Sequence, residues 1–97
     1  MSDLLPLKQG FTIYQSPFCP YCQESLEILQ TLNRQHQISL KNVNLDEVEG
    51  GKSRVVHFFK ANADKYGYDK NHDTRPIIFF NRRFIGGNSD LKRFLTN

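Results

Sequence analysis

Cysteine is almost absent from this chain: its 97 residues hold two, Cys19 and Cys22, and both fall in one Cys19-Pro20-Tyr21-Cys22 segment. No disulfide framework is therefore available to hold a small secreted scaffold together, and the pair is left for chemistry. A structural zinc site, which normally takes four ligands, is excluded on the same ground. There is no second CxxC, and His36, His57 and His72 are dispersed without ligand spacing. Long apolar runs are missing as well. Met1-Ser2-Asp3-Leu4-Leu5-Pro6 lacks the basic start and extended apolar stretch of a signal peptide, and no run approaches the length of a membrane span. A reducing, cytoplasmic setting is the resulting expectation. Charge of one sign does not dominate either: 13 Lys and Arg stand against 10 Asp and Glu, and the basic residues scatter from Lys8 to Arg93. That pattern is a solvated surface and not a nucleic-acid footprint, although a net charge of +3 favours anionic thiol substrates. No internal repeat or low-complexity tract is present.

What the chain does have is aromatic bulk. Eight Phe and four Tyr, within a hydrophobic fraction of 38%, are enough to cover a sheet with helices in a single domain spanning 1–97, with 1–9 as an N-terminal extension. Phe11 to Tyr14 reads as a first strand. After Cys19, Leu26, Leu29 and Leu32 share one helical face flanked by Ile28, while Gln23, Glu24, Glu27 and Gln30 fill the other. Ile38 to Leu45 alternates as a half-buried strand does, and Asp46 to Gly51 is a loop. A second helix is predicted from Lys52 or Ser53, burying Val55, Val56, Phe58, Phe59 and Ala63. Residues 62–73 show no sustained period and read as a loop with room for one helical turn, taken as a tolerated surface insertion. Pro76 to Phe80 and Arg83 to Ile85, joined by Asn81-Arg82, predict an antiparallel hairpin. Gly86-Gly87 breaks it, and Asn88, Ser89 or Asp90 caps a last helix that turns Leu91, Phe94 and Leu95 inward. The order is β-α-β-α-β-β-α, an α/β class.

The cysteine pair lies where the first strand hands over to the first helix. Unpaired backbone N–H groups and the positive end of the helix dipole favour an anion there, and the thiolate is the nucleophile of disulfide chemistry. Two intervening residues let Cys22 reach back to Cys19 and close a small-ring disulfide. The pair is a candidate dithiol redox site.

Three motifs in this order, Cys19-Pro20-Tyr21-Cys22 after the first strand, Thr74-Arg75-Pro76 opening the third, and Gly86-Gly87-Asn88-Ser89-Asp90 after the fourth, closely resemble the glutaredoxins. The resemblance runs from about Phe11 onward. It implies a thioredoxin-like fold with a four-stranded mixed sheet flanked by about three helices, and a cis bond before Pro76 against the cysteines. It further implies that the Arg75 backbone pairs with an extended thiol substrate, that the helix start at Gly87, Asn88 and Ser89 receives the γ-glutamyl carboxylate of glutathione, that Asp90 or Ser89 takes its ammonium, and that Tyr21 flanks the tripeptide. Cys19 would be the nucleophile and Cys22 the resolving thiol.

The implied activity is glutathione-dependent reduction of protein disulfides and of glutathione mixed disulfides. Glutathione is the reducing co-substrate, with no bound cofactor or metal. Implied partners are disulfide-containing or glutathionylated proteins, ribonucleotide reductase among the family's expected targets, and glutathione reductase indirectly; a monomer is the default. Two departures bear on this. Many relatives carry Lys or Arg where this chain has Ser16, and more often Val where it has Arg75, so Arg75 is the candidate replacement cation. Arg54, His57 and Lys60 are the second-helix candidates for the glycyl carboxylate. Two alternatives stay open: reduction by thioredoxin reductase, and a glutathione-ligated [2Fe–2S] module, a role mainly of relatives with a small residue in place of Pro20.

Overall fold

The strand Phe11–Gln15 (β1) is buried along its whole length, which requires neighbours on both edges and cover on both faces. The computed structural model, which describes residues 2–96, supplies them. Leu40–Asn44 (β2) runs parallel to β1 on one side, and Ile77–Phe80 (β3) runs antiparallel on the other. Arg83–Gly86 (β4) pairs antiparallel with β3, giving the strand order β2-β1-β3-β4 and a mixed four-stranded sheet. Between the strands lie the helices Pro20–His36 (α1), Gly51–Ala61 (α2) and the short Ala63–Tyr66 (α3), with Asn88–Thr96 (α4) last. No helix among the described residues is long and apolar enough to cross a membrane.

Strand alternation divides the core. Phe11 and Ile13 of β1 and Ile78 of β3 face Leu29 of α1 and Leu91 of α4. Tyr14, Ile77 and Phe79 face the other way, against Val55, Val56 and Phe59 of α2. Phe59 is the hub of that second layer, with ring centroids 4.6 Å from Phe79, 5.3 Å from Tyr66 and 5.4 Å from Tyr14. Burying each such ring contributes about 2 kcal/mol. The N-terminal extension is tied to the same body: Leu7 N–H donates to Thr12 Oγ1 at 2.8 Å and Arg82 Nε to the Pro6 carbonyl at 2.9 Å.

Three details differ from the sequence reading. The segment 62–73 is no surface insertion. Asn62 closes α2, with its side chain donating to the Phe58 carbonyl at 2.8 Å, α3 follows at once, and Gly67 ends it in the left-handed region. This turn brings Tyr66, 1% exposed, and Tyr68, 5% exposed, into the Phe59 layer, where their spacing of two residues follows no helical period. The second strand is shorter than expected, because Asn44 Oδ1 accepts from Asp46 N–H at 2.9 Å and bends Leu45–Glu47 into a 3-10 turn. In α4 only Leu91 is fully buried. Phe94 lies at the rim against Phe11 and Phe80, and Leu95 is 40% exposed, so the last turn keeps apolar area in water.

Candidate active site

Everything about the position of Cys19 follows from the β1-to-α1 turn. Cys19 is the N-cap residue, with φ −97° and ψ 115°, and Pro20 sits in the first turn, where its missing N–H costs nothing. The Cys19 carbonyl accepts the first helical bond from Gln23 N–H at 3.0 Å. Its sulfur takes the capping role that a hydroxyl or carboxylate usually fills, accepting from Cys22 N–H at 3.3 Å. A backbone donor and the positive end of a 17-residue helix therefore both face this half-buried sulfur. On its other side the Cys19 thiol reaches toward the Arg75 carbonyl at 3.9 Å, and the Arg75–Pro76 bond is cis, as expected.

Both thiols are free, but their settings differ. Cys22 is 0% exposed. Burial, followed by its hydrogen bond with Cys19, pushes the Cys22 thiol up to about 12, against smaller lowering effects of the Ser16 backbone and the Arg75 charge. One sulfur is reachable and held by donors; the other waits as a protonated thiol one helical turn away. Such a pair exchanges disulfides stepwise, the outer sulfur being attacked or attacking first.

The cleft beside Cys19 is a groove of about 470 Å³. Tyr21, 67% exposed, forms one wall, the segment Thr74 to Pro76 another, and Gly87 to Asp90 the far end. Tyr21, Arg75, Pro76, Gly87, Asn88, Ser89 and Asp90, which the resemblance places around glutathione, thus line one groove. A cavity of similar size, about 490 Å³, lies between β4 and α4 around Phe80, Phe84 and Phe94; it shares Asp90 with the groove but none of Tyr21, Arg75 and Pro76, the residues next to the cysteines. Arg54, His57 and Lys60 do not line the groove; Arg54 instead donates to the Glu49 carbonyl at 3.0 Å.

Within the groove the side chains have distinct tasks. Asp90 Oδ2 accepts from Gly87 N–H at 2.9 Å, closing the first turn of α4, while Oδ1 pairs with Arg93. Gly86, at φ +134°, is required for this, since a Cβ there would stand 2.2 Å from Asp90 Oδ2. Asn88 is committed to α1: its Oδ1 accepts from Ser25 Oγ and its Nδ2 donates to Glu24 Oε1, both at 2.6 Å. Lys92 first, then Asn88, hold the Glu24 carboxyl below its usual range. Ser89 is exposed at the helix start.

Sequence reasoning missed three participants. His72 lines the groove, donating from Nε2 to the Pro76 carbonyl at 3.3 Å with its ring 5.1 Å from Phe84. Ser25 anchors Asn88. Ser16, where a base was expected, is 5% exposed and links Arg75 to Asp46. Of the three, the sequence points to Ser16 alone, by its place three residues before Cys19; His72 is there one of three dispersed histidines. Among the described residues no group of three or more His, Cys, Asp or Glu is arranged to hold a metal ion.

A sheet of this topology with a capped outer cysteine, a buried inner one and a cis-proline beside them defines a thiol–disulfide oxidoreductase of the thioredoxin fold. No protein-family model matches the chain. A relative from Acanthamoeba polyphaga mimivirus, named as a probable glutaredoxin, is 34% identical over 85 residues, covering 88% of this chain and 76% of the relative. Among solved structures, a dithiolic glutaredoxin of Trypanosoma brucei brucei superimposes with a TM-score of 0.67 at 24% identity, over 91% of this chain and 78% of its own. A buckwheat glutaredoxin–glutathione complex does so with a TM-score of 0.61 at 18% identity, over 90% and 68%. The chain belongs to the glutaredoxin family.

Proposed function

We propose that the protein is a glutathione-dependent oxidoreductase that reduces protein disulfides by a two-cysteine route and glutathione mixed disulfides by a one-cysteine route. The observation that carries this reading is the groove of about 470 Å³ running from Tyr21 and the Arg75–Pro76 bond to the first turn of α4. Its two ends suit the two parts of an extended tripeptide thiol. The start of α4 offers the backbone N–H groups of Asn88 and Ser89 for the γ-glutamyl carboxylate, beside Gly87, whose own N–H is held by Asp90, with Ser89 or Asp90 taking the ammonium. Main-chain pairing along Arg75 holds the cysteine portion over Cys19, and Tyr21 flanks it. The buckwheat relative, solved as a complex with glutathione, supports the same use of the same fold. Arg75, bonded to Ser16, serves as the cation that Ser16 does not supply.

In the two-cysteine route the Cys19 thiolate attacks one sulfur of the target disulfide, a mixed disulfide forms, and the departing thiolate takes a proton from solvent. Cys22 then loses its proton and attacks the Cys19 sulfur, which releases the reduced target and leaves the Cys19–Cys22 disulfide. Two glutathiones restore the dithiol and leave as oxidised glutathione, which glutathione reductase recycles. In the one-cysteine route Cys19 accepts the glutathionyl group from a protein and a second glutathione removes it, so Cys22 is not needed. The sulfurs carry the electrons throughout. With both cysteines of the chain in this pair, the reading is of a monomer working in a reducing cytoplasm, with proteins such as ribonucleotide reductase among its targets.

One observation keeps open a second reading, in which thioredoxin reductase is the electron donor: Ser16 stands where many relatives carry the cation, and it is held between Arg75 and Asp46. Titrating glutathione into Cys22→Ser protein while following backbone amide resonances separates the two. The glutathione reading predicts saturable shifts at Arg75 and Gly87 to Asp90; an unmoved spectrum, or shifts confined to other faces, contradicts it. Cluster binding is checked in the same preparation, because a [2Fe–2S] module purified anaerobically is brown.

A further inference from the structure

Beside Cys19 lies a second, smaller recess of about 160 Å³, and Arg75 lines both this recess and the groove. Its other walls are Ser16, Phe18, Cys19 and Asp46. A hydrogen-bonded chain spans it: Arg75 Nη1 donates to Ser16 Oγ at 3.0 Å, and the Ser16 hydroxyl donates to Asp46 Oδ1 at 3.1 Å. Ser16 is 5% exposed, so its one donor and its accepting oxygen are taken up by this chain. A cation and an anion are thereby fixed on either side of a buried hydroxyl. Arg75 and Asp46 are themselves exposed, and their remaining guanidinium donors and carboxylate oxygen are open to whatever enters. At the lip stands Phe18, 94% exposed, an apolar ring next to the nucleophile's own position in the chain.

We propose that this recess is a subsite for the residue that flanks the cysteine of a protein disulfide, and that Asp46 and Arg75 read its charge in opposite senses. The inference rests on the thiol–disulfide exchange of the family and not on glutathione as reductant. A peptide whose sulfur is being attacked by Cys19 has its next residue one Cα step of about 3.8 Å from its cysteine, close enough for that side chain to enter a recess that Cys19 itself lines. A flanking Lys or Arg meets Asp46, a flanking Asp or Glu meets Arg75, and Phe18 covers the peptide backbone. With both charges present, neither kind of flank is strongly rejected. Removing one charge unmasks the other.

The test is the second-order rate at which the reduced protein is oxidised by two peptide disulfides that differ only in Lys or Glu beside the cysteine. Thiol-quenched mass spectrometry follows it with no glutathione present. Asp46→Asn is expected to lower the Lys-to-Glu rate ratio about fivefold relative to wild type, and Arg75→Met to raise it about fivefold. Both changes shrink at high salt, because exposed charges are screened. Asp64→Asn, on the exposed side of α3, alters net charge equally but leaves the ratio at the wild-type value. Unchanged ratios in both recess variants, or a shift in Asp64→Asn as large as in Asp46→Asn, overturn the proposal. Loss of glutathione turnover in a separate assay would touch the preceding reading and not this one.

Discussion

The buried hydroxyl of Ser25, in the second turn of α1, donates to the side-chain oxygen of Asn88 at the start of α4 at 2.6 Å, across 63 residues of sequence. It ties the helix that carries Cys22 to the helix that ends the groove. Ser25→Ala removes the donor and leaves the Asn88 oxygen facing a methyl group. A stability loss of about 1–3 kcal/mol is expected, read as a lower urea midpoint at constant m-value. The glutathione KM should rise by a larger factor than kcat falls; equal changes in both would mean that the bond steadies the fold without steadying the groove.

Cys22 makes the reduced protein sensitive to alkali. Its thiol titrates at about 12 in the folded chain, against an ordinary value of 9.0. Between those values the folded chain keeps a proton that the unfolded chain has lost, so stability present below pH 9.0 is lost progressively as pH rises toward 12. Denaturation midpoints of reduced wild type should fall more steeply above pH 9.0 than those of Cys22→Ser. Tyr14 and Tyr68, whose hydroxyls burial also raises, contribute alike to both proteins and cancel. Parallel slopes would contradict the buried-thiol account.

The two glycines after β4 should behave differently. Gly86→Ala forces a Cβ to within 2.2 Å of Asp90 Oδ2 at φ +134°, and about 1–3 kcal/mol of stability should be lost. At Gly87 an added Cβ meets nothing closer than 3.4 Å, the His72 ring. Gly87→Ala should fold normally and raise the glutathione KM by narrowing the groove. Thermal melts beside steady-state kinetics distinguish the two effects.

Tyr66→Ala tests whether residues 62–73 belong to the core. Tyr66 is 1% exposed and its ring sits against Phe59 and Phe79, so truncation should cost about 3–5 kcal/mol. A surface insertion would lose no more than about 0.5 kcal/mol.

Local signals were the ones a reader of the sequence could use. Cys19 at the junction of an apolar strand and a leucine-striped helix, Pro76 ahead of a continuous apolar run, and the Gly86-Gly87 break each announce themselves within a few residues, and each lies where expected. Tyr66 and Tyr68 escaped because a turn at Gly67, and no period, brings both into one layer. The bonds that tune the site were equally invisible. Arg75 and Ser16 are 59 residues apart, Ser16 and Asp46 30 apart, and nothing in a serine's own neighbourhood says which distant guanidinium it will hold. Nor does the sequence show that the Asn88 side-chain amide, on one of three candidate caps of the last helix, is shared between Ser25 and Glu24, both on α1.

The most direct test of the central claim is glutathione-dependent reduction of a glutathionylated peptide, coupled to NADPH consumption through glutathione reductase, for wild type, Cys19→Ser and Cys22→Ser. The account predicts turnover by wild type, retention in Cys22→Ser and abolition in Cys19→Ser, with Cys22→Ser losing reduction of protein disulfides. A well-folded wild type that turns over nothing with glutathione, or a Cys19→Ser protein that keeps its activity, would contradict it.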